Sequence, residues 1–399
     1  MLEDNLIKIR KNSAKIRDWI EKKRKINPIP IYGSVDIRDS GYKVGVVDSN
    51  HFPAGFNNID SLDIPQLSAL MRENIDRTKE GVEHVHIYPE SHTRNPAYVE
   101  NLKSLKNILQ HAGYTVTIGS SDLSDFGSLD GLTEPLTLDY VISDDEKVRV
   151  RDYGIPDLVL LNNDLTDGIP VELINQSVVP DVSMGWHKRR KSTHFTKMDQ
   201  YVGEISELID IDSWLLKPLW MVSEDKCLEK EECLEKLVLD IDNLLDEIRS
   251  KYEKYGINEK PCVYVKNDRG TYGLGIIIIE SGSQLLGLSK RKLHKLTYGK
   301  GGALAENFLI QEGIPTALSY NDSPAEPVAY LVDGRPASWF YRVNHKKNKI
   351  GNLNSPSAAF VQKNDFLEKN SDLRIEWHEL VAELSMLAMG SENYIESNE

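Results

Sequence analysis

An α/β region followed by an α+β region is the fold class predicted for this chain of 399 residues, and three observations carry it. Between residues 43 and 161, short β-branched runs alternate with amphipathic stretches of helix length, the pattern of a parallel sheet covered on both faces. Around residues 263–279, an apolar run ends in Lys266, a glycine-punctuated polar loop follows, and a run of four isoleucines leaves it. Near the end, residues 327–332 and 337–343 flank Asp333-Gly334, a hairpin signal.

Composition bounds the function. Hydrophobic residues make up 40% and charged residues 28%, as in ordinary globular proteins, and the length allows two or three domains. A net charge of −14 argues against a nucleic-acid surface, though local basic clusters can still meet small anions. Cys227, Cys233 and Cys262 are too few and too irregular for a disulfide framework or zinc site. No apolar run approaches membrane-spanning length, and the N-terminal stretch is charged and amphipathic, unlike a signal peptide. The expectation is a cytoplasmic protein with neither nucleic-acid nor membrane partners.

In order, residues 2–25 read as one helix, ended by Pro28 and Pro30. A strand at 43–48 is followed by a helix at 64–77, a strand at 83–88, a helix at 97–112 and a strand at 114–118. An acidic, serine-rich loop spans 120–145, and a buried strand follows at 158–161. This alternation predicts a Rossmann-like sheet. Ligands of such sheets bind at the carboxyl ends of the strands, where three polar loops stand here. Asn50 and His51 lie in the first, Arg94 in the second and Asn162 in the third. Arg94 is a candidate partner for a substrate carboxylate.

Residues 185–195 are the densest basic patch, and Lys191 within it is a candidate contact for phosphate or carboxylate. A helix is expected at 197–208, a short strand at 214–218 ending near Lys217, and a long helix at 228–255. After the glycine loop come a helix at 284–296, a strand at 308–314 holding Gln311 and Glu312, the Asp-Gly hairpin, and a helix at 374–389.

The glycine loop, Gly270-Thr271-Tyr272-Gly273-Leu274-Gly275, is not a P-loop, since no Lys-Ser or Lys-Thr follows its last glycine. Its glycines run G-x-x-G-x-G between strands, which is not a dinucleotide fingerprint either. Backbone N–H groups at glycines can approach an anion closely, and Lys266 adds a positive charge, so the stretch reads as a lid over phosphates.

The order is then specific: Lys217, Lys266 with its glycine loop, Ile310-Gln311-Glu312-Gly313-Ile314, Glu326 through Pro336, Arg342, and Asn352-Leu353-Asn354. It resembles the ATP-grasp fold, and within it the proteobacterial glutamate–cysteine ligases of ATP-grasp type. The closer likeness lies in residues 48–58 and in Phe340-Tyr341-Arg342 through Asn352-Leu353-Asn354-Ser355-Pro356. The resemblance implies a Rossmann-like pre-ATP-grasp domain over 1–190. It also implies an ATP-grasp domain over 191–399, with a nucleotide lid at about 191–300 and a catalytic lobe at about 301–399. Lys217, Lys266, Gly270, Thr271, Tyr272, Gly273, Gly275, Gln311 and Glu312 would bind ATP. Arg342, with Lys266, would act on the transferring phosphoryl group, and Asn50, His51, Arg94, Asn162 and Lys191 would bind substrate. Magnesium in such folds is held by late acidic and amide residues. Here that slot reads Asn352-Leu353-Asn354, an amide where a carboxylate is usual, so Glu326 is the candidate for the missing carboxylate.

The implied reaction joins the γ-carboxylate of glutamate to the amine of cysteine. ATP turns a poor leaving group into phosphate, and the amine attacks the acyl phosphate. Two alternatives share the ATP-site residues: another amino-acid or peptide ligase of this fold, and a nucleotide-binding regulatory protein without turnover.

Overall fold

A computed structural model of the chain describes residues 2–91, 95–224, 228, 230–269, 276–297, 307–370 and 374–392. It is a mixed α/β protein with several sheets. In the largest, six-stranded among the described residues, the strands run in the order Ala359–Gln362, Arg335–Val343, Ser323–Val332, Tyr32–Asp39, Val44–Asn50, with Ser319–Tyr320 beside Ser323–Val332. All neighbours in it are antiparallel, and strands from either side of residue 190 share it.

The expected strand at 43–48 exists as Val44–Asn50 but belongs to this sheet, not to the parallel one. The reason is connection length. A parallel partner needs a crossover of a dozen or more residues, whereas Asp39 and Val44 are joined by a tight turn. In it Gly41 takes φ 86° and the Ser40 hydroxyl accepts the Lys43 N–H at 3.1 Å.

The parallel sheet is four-stranded among the described residues, in the order Val178–Val179, Leu158–Asn162, His84–Pro89, Thr115–Ile118. Helices Ile64–Thr78 and Pro96–His111 supply Leu67, Met71, Leu102 and Leu105 to the core it shares. Within 120–145, the Val141–Asp144 strand pairs with Lys147–Val150 across Asp145 and Glu146, both at positive φ.

A third sheet, antiparallel throughout, orders Trp220–Ser223, Phe308–Glu312, Val263–Asn267, Ile277–Ile279. The strand–loop–strand reading around Lys266 therefore holds at both strands. Helix Glu231–Tyr255 covers one face of this sheet with Leu237, Ile241, Leu244 and Ile248.

Three helical expectations change for local reasons. The 2–25 helix is two, Leu2–Lys11 and Ser13–Ile26, because the Asn12 side chain donates to the Lys8 carbonyl at 2.9 Å and interrupts the run. The 284–296 helix is Ser283–Leu286 and Lys290–Thr297, divided after Gly287. Residues 213–215 form a 3-10 turn capped by Asp212, and the strand begins only at Trp220, beyond Pro218. The C-terminal helix Ile375–Ser391 lies on the six-stranded sheet, so close that a Cβ on Gly33 would meet Met389 Cε at 2.7 Å.

Candidate active site

The strand Tyr32–Asp39 alternates strictly. Val35 and Ile37 join Trp377, Leu380 and Leu384 of the C-terminal helix in the core. Asp36 and Arg38 take the other face, yet all eight residues of the strand are buried. Charged groups are buried only when paired, so this face is held by partners. The sheet register supplies them: Asp48 and Val328 flank Asp36, and Glu326 stands opposite Arg342.

Arg342 Nη1 donates to Asp36 Oδ2 at 2.8 Å and to Glu326 Oε1 at 2.6 Å, and Nη2 donates to Asp36 Oδ1 at 3.2 Å. Arg38 ion-pairs with Glu326 through Nε and donates to the carbonyls of Lys349 at 3.1 Å and Gly351 at 2.7 Å. Those last two contacts pin the loop that carries Asn352 and Asn354 above the sheet. Arg342 Nε is buried and has no hydrogen-bond partner.

From the facing sheet comes Lys266, whose ammonium donates to Gln311 Oε1 at 2.6 Å and to the Val47 carbonyl at 2.9 Å. That carbonyl is available because Val47 is the extra residue where the register shifts, with Asp36 opposite Asp48 but Ile37 opposite Val46. Lys191 reaches the same place from the first turn of its helix, 2.7 Å from Asp48 Oδ1.

The cavity between the two sheets has a volume of about 40 Å³. Asp36, Arg38, Asp48, Lys266, Glu326 and Arg342 line it, with Tyr264 and Ile276 as less polar walls and Asn352 and Asn354 at its rim. Three carboxylates thus face three cations, and Lys191 adds a fourth cation through Asp48.

Burial and pairing set the protonation states. Burial pushes the Asp36 carboxyl up, and Arg342 offsets only part of that. Burial also raises Asp48, but Lys191 and Lys266 outweigh it and hold the group at about 2. Burial pulls the Lys266 ammonium down to about 8 against the attraction of Asp48. For Arg342 burial works against the charge, and Asp36 and Glu326 more than restore it.

Lys266, Glu326, Arg342, Asn352 and Asn354 are therefore brought together, and Gln311 adjoins them through Lys266. Asn50 shares the sheet face, opposite Ser34 and two residues from Asp48, but does not line the cavity.

Four residues lie elsewhere. Strand alternation turns Glu312 away from Gln311, and its carboxylate accepts from Lys43 Nζ and Leu219 N, each at 2.8 Å, and from Trp214 Nε1. Lys217 pairs with Asp199 at 2.5 Å. His51 is buried 3.4 Å from Glu392, whose carboxylate also holds Arg189 and His194. Asn162 receives the Asn101 amide at 3.0 Å and donates to the Pro53 carbonyl at 2.9 Å, tying down the loop after Asn50. Arg94 and Gly270, Thr271, Tyr272, Gly273 and Gly275 lie outside the described residues.

The sequence reading missed Asp36, Arg38 and Asp48. Their signal was present, since charges that alternate with Val35 and Ile37 mark a strand whose second face is polar.

Among curated proteins, none matches the chain. A solved structure from Methylobacillus flagellatus KT, described as a candidate gamma-glutamylcysteine synthetase, superposes with a TM-score of 0.89 at 30% identity, covering 99% of this chain and 96% of that one. A D-alanyl-alanine synthetase A from Vibrio cholerae O1 biovar eltor str. N16961 gives a TM-score of 0.31 at 9% identity over 75% of this chain and 81% of that one, too weak to carry an argument. The model of the glutamate-cysteine ligase family, GshA, matches residues 7–393, and over that length the chain belongs to this family.

Proposed function

We propose that this ligase phosphorylates the γ-carboxylate of glutamate with ATP and that cysteine's amine then displaces phosphate. The observation that supports the reading is the meeting of Lys266 with Arg342, from two different sheets, at one small buried cavity. Phosphoryl transfer to a carboxylate brings two anions together, so it needs fixed positive charge and exclusion of water. Lys266 would meet the phosphates, and the Gln311 Nε2, buried without a partner, would donate to an acceptor on the nucleotide's edge. Arg342 faces the carboxyl group being activated, and its guanidinium is held in orientation by Asp36 and Glu326. We assign the two-lobed ATP-grasp arrangement, the Rossmann-like preceding domain and the division near residue 190 to this same reading.

Cation balance points to a divalent metal. Three carboxylates already match the three lining cations, so a polyphosphate adds charge that the cavity does not neutralise. No trio of His, Cys, Asp or Glu forms a metal cage among the described residues. Asn352 Oδ1 accepts the Asn354 N–H at 3.0 Å, and both oxygens of Glu326 and of Asp36 are engaged by Arg38 and Arg342. A metal would therefore share those two carboxylates with the guanidinium groups and take the Asn354 carbonyl beside them. Such a set fits magnesium, which takes one or two carboxylates and draws its other ligands from phosphates and water. Bound there, it would neutralise charge on the transferring group.

The test is ADP release by the purified protein with Mg-ATP and glutamate, with and without cysteine, with the product identified by mass. Cysteine-dependent release with a product of γ-glutamylcysteine mass is expected. Release that ignores cysteine but responds to another amine would keep the chemistry and overturn the acceptor. No release with any acceptor would favour a binding protein, the reading to which the Asn352 and Asn354 amides lend support.

A further inference from the structure

A second cavity, of about 90 Å³, opens beyond the carboxyl ends of the parallel strands, and the proposed reaction uses none of its residues. Its walls are the segments that follow His84–Pro89, Thr115–Ile118 and Leu158–Asn162. From His84–Pro89 the chain moves to one side of the sheet, and it then crosses to Leu158–Asn162 on the other. The loops diverge where that direction reverses, and open α/β sheets bind ligands in the crevice so formed.

Among the described residues the lining is one-sided in charge. Glu90, Asp122 and Asp167 contribute carboxylates, and no lysine, arginine or histidine lines the cavity among the described residues. Two hydroxyls on its wall, Ser120 Oγ and Thr166 Oγ1, are buried without a hydrogen-bond partner. Ser120 is only 2% exposed. An unsatisfied buried hydroxyl is costly, so a donor that enters the cavity and bonds to it gains affinity. Carboxylates are the only charged groups on the wall among the described residues, and they disfavour an anion. Acceptors around a small acidic space suit a compact cation with several N–H donors.

We propose that this cavity recognises the ammonium group of a small primary amine, with Glu90 and Asp122 balancing its charge and the Ser120 and Thr166 hydroxyls accepting its N–H bonds. An amino-acid substrate and a free amine effector share that chemistry. The assignment stands on the cavity itself and does not rest on the ligase reading.

The experiment is calorimetric titration of the full chain without ATP, using L-cysteine, cysteamine and 3-mercaptopropionate, which lacks the amine. Cysteine and cysteamine should bind saturably and 3-mercaptopropionate should not. Ser120→Ala and Asp122→Asn should each weaken cysteamine binding about tenfold, the value of one charge-assisted hydrogen bond. Ser120→Ala should leave the melting temperature unchanged or raised, because the lost hydroxyl has no partner in the protein. A KM for cysteine that rises in both variants at constant KM for ATP identifies the substrate as the occupant. An unmoved KM with weakened cysteamine binding identifies an effector. No saturable binding of either amine, equal binding of 3-mercaptopropionate, or wild-type affinity in both variants overturns the proposal.

Discussion

Glu326 and Arg342 stand directly opposite one another on adjacent antiparallel strands, and the guanidinium lies 2.6 Å from the carboxylate while reaching across to Asp36. Removing the arginine leaves the buried Asp36 without its guanidinium partner and Glu326 with Arg38 alone. Arg342→Ala should therefore lose ADP release and about 3–5 kcal/mol of stability, the usual cost of breaking a buried pair. Arg342→Lys keeps the charge but not the fork, so it should recover most of the stability and little of the activity. Urea unfolding and single-turnover ADP release measure the two effects separately. Full stability in Arg342→Ala would mean that the carboxylates do not depend on it.

Lys266 makes a pH-dependent contribution. Its pKa in the folded chain is about 8, below the ordinary lysine value of 10.5. The unfolded chain thus holds the proton over that interval while the folded chain releases it, and stability rises from pH 8 to about 10.5. The isosteric, uncharged Lys266→Met should lack this rise, with a difference approaching about 3 kcal/mol across the window. The same variant should fail to release ADP at any pH. Stability curves of equal slope above pH 8 would refute the buried-cation account.

Asp48 works in the opposite sense. Held at about 2 by Lys191 and Lys266, it stabilises the fold above the ordinary carboxylate value of 3.8, and that contribution disappears as pH falls toward 2. Between these values the wild type should lose about 1–2 kcal/mol more than Asp48→Asn. Acid titration followed by tryptophan fluorescence compares the two.

Glu312 separates a packing role from a nucleotide role. Its carboxylate is the counter-ion of the fully buried Lys43, 2.8 Å away, whose ammonium also lies 4.1 Å from the Trp214 ring centroid. Glu312→Gln should destabilise the chain by about 3–5 kcal/mol, and adding Lys43→Met should restore much of that. KM for ATP should stay near the wild-type value in the double variant. A large rise in KM with little loss of stability would return Glu312 to the nucleotide.

Local chemistry accounts for what could be read directly from the chain. The Asp333-Gly334 turn takes φ of 53° and 72°, values that few other residue pairs tolerate, so its hairpin was visible in two letters. The strand ending at Lys266 was visible in the same way, because β-branched runs bounded by turn residues have one period and one favoured backbone. So were Ile64–Thr78 and Pro96–His111, whose apolar residues recur with the helical period. Family resemblance then selected Lys266, Glu326, Arg342, Asn352 and Asn354, all of which line one cavity.

Tertiary structure decided three other matters. It placed Val44–Asn50 beside Tyr32–Asp39, since a four-residue turn leaves no crossover to the parallel sheet. It also decided that Gln311 faces Lys266 while Glu312 faces Lys43, because alternation separates neighbours without saying which side is covered by what. Above all it set Asp36 against Arg342, 306 positions away in sequence. Periodicity along a strand shows that a polar face exists. Only the second sheet packed over that face makes it a buried, charge-paired site.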